Sequence, residues 1–538
     1  VEDLPKSVAD MVERGDDLTD LPGLGKDLAG KIKEIIETGT LGQLKELESR
    51  VPEELNQLMR MEGLGPKKVK ALYRKLGITN LEELKQAAEK DKVKELDGFG
   101  QKTQEKILEE LERLTGETQH RIKLVNAEEI AKELVQYIKK DKSVKNIDVA
   151  GSFRRRKETV GDLDILATVK RGSKVMDHFV EYEDVTKVIS KGETRSTIVL
   201  KSGLHVDLRV LPQVSYGAAL HYFTGSKAHN IAVRKLGVRK DLKINEYGVF
   251  KGKDEERIGG ETEEEVFKAV DLPYIEPELR ENGGEIDAAR EERLPELITL
   301  EEIRGDLHAH TKQTDGKNTL EEMADAAREL GYDYLAISEH SKRVSMAKGL
   351  DAGALAKRIE KIDRLNENIK GIRILKSIEV DILEDGTLDL PDDILKELDL
   401  TVCSVHYNRN LTRKVQTERI LRAMDNPYFN ILGHPTGRLI NERGPYEVDI
   451  ERILEAAKER GCFVELNAHP DRLDLSDHHC KMAKEMGVKV AISTDAHSIN
   501  DLELMRFGIY QARRGWLERD DVINTRKWTG LKKLLKRK

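Results

Sequence analysis

The spacing of apolar and polar residues divides the chain into three regions. Residues 1–118 carry apolar residues at helical spacing throughout. Residues 119–281 begin with a helical pattern and continue with short apolar or alternating runs, which indicates strands mixed with helices. From residue 303 onward, short apolar runs alternate with amphipathic segments, which predicts repeated βα units in a parallel sheet or barrel. A polar connector, residues 282–302, separates the last two regions.

The composition limits where this chain works and how it binds partners. It has 538 residues, of which 38% are hydrophobic and 36% charged, so we expect several soluble domains. The formal net charge of -8 excludes a globally basic nucleic-acid binder, so any such contact must come from local features. The three scattered cysteines form no disulfide framework, which fits a reducing compartment. No apolar run has membrane-spanning length and the N-terminus lacks a secretory signal, so we expect a cytoplasmic protein with no membrane partner.

One short motif recurs three times in the first region. Each copy reads apolar-x-Gly-apolar-Gly and opens an amphipathic helix, at residues 21–25, 61–65 and 96–100. This is the form of a helix-hairpin-helix turn, in which glycine permits a sharp turn and leaves free amides for a phosphate. A single copy is more typical of a helix connector, but three in series favour binding of a DNA backbone. The residues predicted to do this are Gly23, Gly25, Gly63, Gly65, Lys67, Lys68, Gly98 and Gly100.

The stretch GSFRRRKETVGDLDIL, residues 151–166, carries the main chemical signal of the second region. Asp162 and Asp164 are two apart on a predicted strand, so their side chains point to one place. Asp207, on the alternating strand LHVDLRVL, joins them if the two strands are neighbours. Three such carboxylates suit a two-metal site for phosphoryl transfer, and the glycine, serine and arginines of residues 151–156 suit a triphosphate. For Asp162 and Asp164 alone, the alternative is a solvated surface hairpin.

With LPGLGKDLAGKI, VDLRV, YFTGS and INEY, these motifs resemble the family X DNA polymerases over residues 1–281. The resemblance implies an α-helical helix-hairpin-helix region over residues 1–118, an α+β nucleotidyltransferase palm over 119–212 and a nascent-base-pair subdomain over 213–281. It also implies that Asp162, Asp164 and Asp207 are catalytic and hold two Mg2+ or Mn2+ ions. The implied nucleotide-binding residues are Ser152, Arg155, Gly161, Arg121, Tyr222, Phe223, Gly225, Asn230 and Arg234.

Some positions of this part have two interpretations. From its residues alone, YFTGS at 222–226 is either a packed turn or a turn that contacts a sugar or base. Lys31 has the spacing of an ordinary surface lysine, but the resemblance implies a Schiff-base lysine that removes 5′-deoxyribose phosphate. Asp27 replaces an accessory lysine of that lyase pocket, so the lyase prediction rests on Lys31 alone. Two other residues depart from the family pattern. His205 lies beside the third carboxylate, and Lys227 lies near the expected position of the incoming base.

Histidine, aspartate or glutamate follows the end of strand after strand in the last region. An isolated histidine in such a place is usually structural. In a βα barrel, however, the carboxyl ends of the strands form one mouth, so these side chains must converge. Mixed imidazole and carboxylate ligands suit Zn2+, Mn2+ or Fe2+, and their number indicates two or three ions. Such a cluster is typical of phosphoester hydrolysis.

The pattern HAH…D…EH…E…SVH…GHP…DAH resembles a PHP domain (polymerase and histidinol phosphatase) over residues 303–538. The resemblance implies a (β/α)7-type barrel. Its implied metal ligands are His308, His310, Asp315, His340, Glu379, His406, His434, Asp495 and His497. We expect Asn467, His469, His478 and His479 to be structural or surface residues. Joined to a family X polymerase, the domain implies a bacterial or archaeal PolX-type protein that uses it for 3′–5′ exonuclease and 3′-end or abasic-site processing.

We therefore predict a multidomain, DNA-directed DNA polymerase that fills short gaps in DNA repair and trims 3′ ends. Its partners would be gapped or nicked DNA and dNTPs, and we expect a monomer. Its cofactors would be Mg2+ or Mn2+ in the palm, two or three Zn2+, Mn2+ or Fe2+ ions in the PHP site, and a monovalent cation at the helix-hairpin-helix turns. Because the chain begins at Val1 without Met, we expect preceding residues to be missing. The alternatives are a DNA 3′-phosphoesterase with weak or template-independent transferase activity, and a DNA-end scaffold with degenerate sites.

Overall fold

The computed structural model describes residues 8–15, 17–21, 24–38, 40–41, 55, 58, 64–96, 98–100, 103–104, 107, 121–252 and 256–536. The chain forms two compact units, residues 1–121 and residues 122–538. Among the described residues, no helix has both the length and the apolar character that crossing a membrane requires.

The helices of the first unit follow from local sequence signals. They are α1 (Val8–Arg14), α2 (Lys26–Thr38), α3 (Pro66–Leu76) and α4 (Leu81–Glu89). α3 starts with a proline, whose missing N–H has no helical partner at that position, and ends at Gly77 in the left-handed conformation, with φ 69°. The side chains of Leu64, Leu72, Leu84 and Phe99 are buried in one core, which ties two of the repeated motifs to α3 and α4.

The second unit opens with a helix packed on a mixed sheet. α5 (Leu124–Lys139) buries Leu124, Ala127, Ala131, Leu134 and Ile138, a stripe at helical spacing, in the core that also holds the inner side chains of the sheet. The strands of this sheet are β2 (Val144–Val149), β4 (Asp162–Val169), β5 (Val185–Lys191), β6 (Arg195–Leu200) and β7 (His205–Val210). Their order is β2-β4-β7-β6-β5, and only the central pair β4–β7 is parallel among them. β1 (Ile122–Lys123), α6 (Gly151–Arg154), β3 (Thr159–Val160) and α7 (Val175–Val180) complete this part.

A smaller helix-and-hairpin layer follows the mixed sheet. It contains α8 (Tyr216–Thr224), α9 (Lys227–Arg239), β8 (Leu242–Asn245), β9 (Gly248–Lys251), β10 (Glu256–Gly259) and α10 (Glu263–Ala269). The segment predicted as a polar connector, residues 282–302, contains α11 (Glu285–Arg290). Glu285 is buried, and its Oε1 lies 2.7 Å from Nδ1 of His229 in α9. This contact fixes the segment against the preceding layer.

The last region alternates strands and helices, which confirms the predicted βα architecture. Its strands are β11 (Gly305–Ala309), β12 (Tyr334–Ile337), β13 (Arg373–Lys376), β14 (Glu379–Asp381), β15 (Val402–Ser404), β16 (Ile431–Leu432), β17 (Phe463–Asn467) and β18 (Val490–Ser493). Its helices are α12 (Leu320–Glu329), α13 (Ala352–Asn368), α14 (Asp392–Leu395), α15 (Arg413–Met424), α16 (Ile450–Arg460), α17 (Asp477–Met486), α18 (Met505–Arg514) and α19 (Trp528–Leu535).

These strands are parallel and arranged in the order that a barrel requires. They form one sheet of β11-β12-β13 and another of β14-β15-β16-β17-β18. Isolated parallel bridges join the two sheets, from Ala309 to Ala496 on one side and from His340 to Glu379 on the other. The carboxyl ends of all the strands therefore face one mouth, and the predicted ligands lie there.

The mixed sheet and the βα region share a core and several ion pairs. Ile440, Leu473 and Phe507 of the βα region are buried with the residues of α5 and the mixed sheet. Lys123 donates to Asp471 at 2.6 Å and to Glu442 at 3.0 Å. These contacts connect residues more than 300 positions apart, so the two regions pack as parts of one unit.

Candidate metal centres

Asp162, Asp164 and Asp207 come together at one end of the β4–β7 pair. The two strands run parallel, with Asp162 opposite His205 and Asp164 opposite Asp207. This pairing meets the condition on which the three-carboxylate prediction depended. Burial, together with the charges of Asp162 and Asp207, raises the pKa of Asp164 to about 7. A divalent cation between the carboxylates would relieve this repulsion, so the residues present fit such an ion.

Asp207 is held by partners that the sequence did not reveal. It accepts hydrogen bonds from the Thr197 hydroxyl at 2.5 Å and from the guanidinium of Arg195 at 2.9 Å. Arg209 donates to the same carboxylate at 3.3 Å and lies over the ring of Phe223, 4.3 Å from its centroid. Thr197 and Arg195 belong to β6, whose antiparallel pairing with β7 brings them beside Asp207. These partners of Asp207 could be identified only once the order of the strands was known.

The turn at residues 151–152 lies directly against the carboxylates. Gly151 has φ +65°, and a Cβ there would lie 2.8 Å from Oδ2 of Asp164, so both the conformation and the space require glycine. Ser152 follows in the short helix α6, and Gly161 immediately precedes β4. The backbone of this turn therefore lies directly beside Asp164. The role of Ser152 and Gly161 in binding a triphosphate stays a prediction.

The arginines of the same stretch are already paired with carboxylates. Arg154 forms two hydrogen bonds with Glu263, at 2.9 and 2.5 Å, and a third with the hydroxyl of Thr224. Arg155 donates its Nε to Glu281 at 3.0 Å and its Nη1 to the carbonyl oxygen of Thr224 at 2.5 Å. A triphosphate would therefore compete with Glu281 for the guanidinium of Arg155.

The residues predicted to contact the incoming nucleotide form one cluster. Tyr222 and Phe223 lie in the last turn of α8, with ring centroids 5.1 Å apart, and Gly225 ends that helix with φ 69°. The amide of Asn230 donates to the carbonyl oxygen of Tyr222 at 2.7 Å, and Arg234 follows one turn later on α9. This is a packed turn, as one interpretation of the sequence expected. Contact with a sugar or base stays a prediction.

The described last glycine of each repeated motif begins a helix in the same way. The carbonyl oxygens of Gly25, Gly65 and Gly100 accept hydrogen bonds from the amides four residues later, at 3.0, 3.1 and 3.1 Å. A Cβ added at any of these glycines would meet no atom within 4 Å, so each leaves room for another backbone to approach. Gly23 and Gly63, predicted for the same role, lie outside the described residues.

The positions of the other predicted residues of the first unit do not bear on their predicted roles. Gly98 has φ +86°, in the region that favours glycine. Lys67 is exposed, and Nζ of Lys68 lies 5.5 Å from the centroid of the Phe99 ring. Lys31 is paired with Asp27 one turn earlier on α2, at 2.8 Å. Arg121 is the last residue of this unit. The lyase role of Lys31 and the nucleotide role of Arg121 stay predictions.

All nine residues predicted as ligands in the last region converge at the mouth of the strands. Their ligand atoms form four overlapping groups, within each of which the atoms lie no more than 4.8 Å apart. The groups are His310, Asp315, His340 and His497; His308, His434 and Asp495; His308, His310 and Glu379; and His340, Glu379 and His406. Overlapping groups of this kind suit more than one ion.

Glu379 and Asp495 stand at the centre of this cluster. Oε2 of Glu379 lies 2.9 Å from Nδ1 of His340, and its Oε1 lies 3.1 Å from Nε2 of His434. Oδ1 of Asp495 lies 3.1 Å from Nε2 of His310. Each of these carboxylates thus faces imidazole nitrogens contributed by other strand ends.

The donor atoms of the cluster fit metal ions. Within the described residues, Nε2 of His308, both ring nitrogens of His310 and both carboxylate oxygens of Glu379 are buried and make no hydrogen bond of acceptable geometry. A buried polar atom without a partner costs free energy unless a ligand or ion satisfies it. Imidazole nitrogens and carboxylate oxygens are the ligands that first-row divalent metals accept together.

The carboxylates of the cluster favour positive charge beside them. Burial alone would lower the pKa of His340, but Glu379 and Asp315 outweigh it and raise this pKa to about 10. Burial alone would raise the pKa of Glu379, yet His406, His340 and His308 hold it well below its usual range. The carboxylates are therefore ionised, and divalent cations would satisfy the same demand for positive charge.

Two buried carboxylates support the ligands from behind. Oε1 of Glu465 lies 2.7 Å from Nδ1 of His308, and Oδ1 of Asp381 lies 3.2 Å from Nδ1 of His406. Such partners fix the tautomer and orientation of a metal-ligating imidazole. Neither residue was predicted from the sequence. The available signal was a charged residue inside an apolar strand, in VEL for Glu465 and EVD for Asp381.

The residues expected to be structural divide into two kinds. The amide of Asn467 lies 3.2 Å from Nδ1 of His434 and 3.3 Å from Asp495, so it supports two predicted ligands. His469 accepts a hydrogen bond from the backbone N–H of Asp471, away from the four groups. His478 and His479 lie in α17.

Two arginines approach the cluster from its rim. Nε of Arg472 lies 3.6 Å from Oδ2 of Asp495, and Nε of Arg343 lies 2.9 Å from Oδ2 of Asp381. Both side chains are partly exposed, although Nε of Arg343 is itself buried and its Nη2 pairs with Glu384. Guanidinium groups beside such a cluster suit a phosphate substrate.

Models of known protein families match four parts of this chain. They describe a SAM-like helix-hairpin-helix tandem at residues 55–113, a DNA polymerase beta palm at 121–216, a DNA polymerase beta thumb at 219–281 and a PHP domain at 306–469. The three aspartates of the first centre lie within the palm match, and seven of the nine residues of the second lie within the PHP match. Asp495 and His497 lie beyond it.

One relative resembles almost the whole chain. It is the protein named DNA polymerase/3′-5′ exonuclease PolX of Bacillus subtilis (strain 168), 39% identical over 524 residues, which cover 97% of this chain and 91% of the relative. This chain belongs to the PolX family. The resemblance to family X polymerases with a PHP domain is thereby confirmed.

Other relatives match less than half of this PolX-family chain. A probable phosphatase of Thermoanaerobacter sp. (strain X514) is 33% identical over 231 residues, 41% of this chain and 89% of the relative. A probable phosphatase of Caldanaerobacter subterraneus subsp. tengcongensis is 34% identical over 208 residues, 37% of this chain and 77% of the relative.

Proposed function

We propose that this PolX-family chain is a DNA-directed DNA polymerase with a 3′–5′ exonuclease in its PHP domain. The observation that carries the proposal is the presence of two separate ligand sets in one compact unit. Asp162, Asp164 and Asp207 offer oxygen alone, whereas the nine PHP residues offer nitrogen and oxygen. Polymerisation would therefore occur at the palm site and hydrolysis at the PHP site.

Polymerisation joins the primer 3′-oxygen to the α-phosphorus of a dNTP and releases pyrophosphate. Divalent cations held by Asp162, Asp164 and Asp207 would acidify the attacking hydroxyl and neutralise the triphosphate. The Gly151–Ser152 turn, which lies against Asp164, would bind phosphate oxygens through its N–H groups and hydroxyl. The open helix-hairpin-helix glycines would hold the DNA backbone without reading its sequence.

The exonuclease reaction hydrolyses the last phosphodiester of the strand and releases a nucleoside monophosphate. Metal ions at the PHP cluster would activate the attacking water and neutralise the phosphate. Arg472 and Arg343 stand at the rim, where their guanidinium groups would orient the phosphate. We expect gapped or nicked DNA as the substrate of both sites, which would make the chain a gap-filling repair enzyme.

The decisive experiment uses one gapped duplex with a labelled, recessed 3′ end, incubated with and without dNTPs. Asp207→Ala is expected to abolish extension and to keep degradation, because Asp207 belongs only to the palm site. Asp184→Ala is the matched control, since that carboxylate is exposed in the same region and pairs only with Lys201 among the contacts described. Normal extension by Asp207→Ala would refute the carboxylate assignment.

A second candidate function is a DNA 3′-phosphoesterase with weak transferase activity. Relatives named probable phosphatases, which match 41% and 37% of this chain, favour it. Comparing extension with and without a template strand separates the two candidates, because only a template-directed polymerase adds the complementary nucleotide. A DNA-end scaffold would neither extend nor degrade the strand, and metal analysis of the purified protein would find the PHP site empty.

The identity of the ions follows from the ligand chemistry. We propose Mg2+ or Mn2+ for the oxygen-only palm site and two or three Zn2+, Mn2+ or Fe2+ ions for the PHP site. Elemental analysis of the protein, purified without added metal, would measure the resident ions. Light scattering would test the expected monomer.

A further inference from the structure

Arg514, the last residue of α18, joins the PHP domain to the palm. Its side chain is buried, and its guanidinium has three partners. Nη2 donates to Oδ2 of Asp477 at 2.6 Å, and Nη1 donates to Oε1 of Glu281 at 3.0 Å. Nη1 also donates to the backbone carbonyl oxygen of Arg155 at 2.8 Å. A residue of the PHP domain thus anchors the turn predicted to bind the triphosphate.

Arg514 and Arg155 share one carboxylate oxygen. Oε1 of Glu281 accepts from Nε of Arg155 and from Nη1 of Arg514, both at 3.0 Å. Asp477 is the second carboxylate of the group, and the charge of Arg514 overcomes the effect of burial and lowers its pKa to about 2. Two arginines and two carboxylates therefore face one another, and Nζ of Lys157 lies 3.9 Å from the same oxygen of Glu281. Both carboxylates are partly exposed, whereas Arg514 is buried.

This arrangement matters when a triphosphate arrives. A triphosphate that takes the Nε donor of Arg155 would draw it away from Glu281, whose side chain is 27% exposed. Nζ of Lys157 lies 3.9 Å from the same carboxylate, and losing a close cation from this partly buried group is unfavourable. Arg514 stays in contact with Glu281 and so keeps that carboxylate neutralised. It also holds the carbonyl oxygen of Arg155, which fixes the backbone while the side chain changes partner.

We propose that Arg514 is a positioning residue for nucleotide binding, which lets Arg155 exchange Glu281 for the triphosphate of the incoming dNTP. The PHP domain thereby contributes to polymerisation through a residue outside its own metal site. The inference rests on the proposed polymerase function. It differs from a purely structural role of Arg514, which would stabilise the contact between the domains and leave nucleotide affinity unchanged.

The test compares Arg514→Gln with Arg513→Gln in the full-length protein. Arg513 is the matched control because it lies beside Arg514 and bonds to Glu278 at 2.8 Å and to the carbonyl oxygen of Ile298, but not to Arg155 or Glu281. Single-nucleotide incorporation on gapped DNA gives kcat and the KM for dNTP. Thermal unfolding and exonuclease rate are measured on the same preparations.

Arg514→Gln is expected to raise the KM for dNTP by about 10-fold, with kcat and exonuclease rate within about 2-fold of the wild type. Arg514→Lys should recover part of the affinity, because it keeps the charge but not the forked donors. Arg513→Gln should lower the unfolding temperature without raising the KM. An unchanged KM in Arg514→Gln, or an equal rise in Arg513→Gln, would overturn the inference.

Two further results keep the test decisive. If Arg514→Gln does not fold, Arg514→Lys decides, since a KM equal to the wild-type value would refute the role. Glu281→Gln removes the charge that Arg514 neutralises, so Arg514→Gln should raise the KM much less in that background.

Failure of the wild-type protein to extend a primer would refute the proposed function itself. Normal extension by the wild-type protein, together with no effect of the Arg514 substitutions, would refute only this inference.

Discussion

The palm site and the PHP site both gather acidic side chains, but they are built in opposite ways. In the palm, three aspartates lie on two adjacent strands, and Asp162 is exposed. In the PHP domain, nine residues from many strand ends meet in a mostly buried cluster that includes imidazoles. Oxygen ligands near solvent suit hard cations that exchange with the substrate, whereas buried nitrogen and oxygen ligands suit resident ions.

The residues that contact the candidate ligands carry positive charge in the palm and negative charge in the PHP domain. Asp207 is held by the positive charges of Arg195 and Arg209, which weaken its pull on a cation. The PHP histidines are held by the negative charges of Glu465 and Asp381, which strengthen theirs. We therefore expect the arginines beside Asp207 to reduce cation affinity in the palm, and the carboxylates beside His308 and His406 to increase it in the PHP site.

The largest effect is expected from removing a central PHP ligand. His310→Ala should lower the exonuclease rate by about 10³-fold, because His310 belongs to two of the four ligand groups, while extension stays near the wild-type rate. Single-nucleotide degradation and incorporation are measured on one gapped duplex. His469→Ala is the control, since this histidine lies outside the groups. Equal loss of extension would mean that the two sites are not independent.

A smaller effect is expected from the residue behind His308. Glu465→Gln should weaken metal binding at the PHP site by about 10- to 100-fold, because it removes the charge that orients and polarises the imidazole. Exonuclease rate is measured against added metal after chelation, and excess metal should restore it. Glu455→Gln, at an exposed position of α16, serves as the control. An unchanged metal requirement would contradict the supporting role.

The smallest effect is expected in the palm, where the substitution should strengthen metal binding rather than weaken it. Arg195→Gln removes a positive partner of Asp207, so extension should reach its half-maximal rate at a lower Mg2+ concentration. Because half of the Arg195 side chain is exposed, the ion pair is worth at most about 1 kcal/mol, or about 5-fold in concentration. Lys201→Gln, at an exposed lysine of the same sheet, is the control. A higher Mg2+ requirement would instead indicate that Arg195 supports catalysis.

The sequence by itself determined the features that depend on local geometry. Side chains two apart on a strand share a face, so the spacing of Asp162 and Asp164 identified two of the three candidate palm carboxylates. Parallel strands expose their carboxyl ends at one mouth, so the residues after each strand predicted the PHP cluster. The repeated glycines likewise identified turns whose geometry recurs at Gly25, Gly65 and Gly100.

Only the tertiary structure decided which distant side chains support or restrain those sites. Arg195 reaches Asp207 through the order of strands in the sheet, and Glu465 reaches His308 across 157 residues. Arg514 reaches Arg155 across 359 residues. Such contacts leave no periodic signal, because they depend on how separate elements pack rather than on the geometry of the backbone around each residue. The ligands could therefore be predicted from the sequence, whereas the partners that set their charge could not.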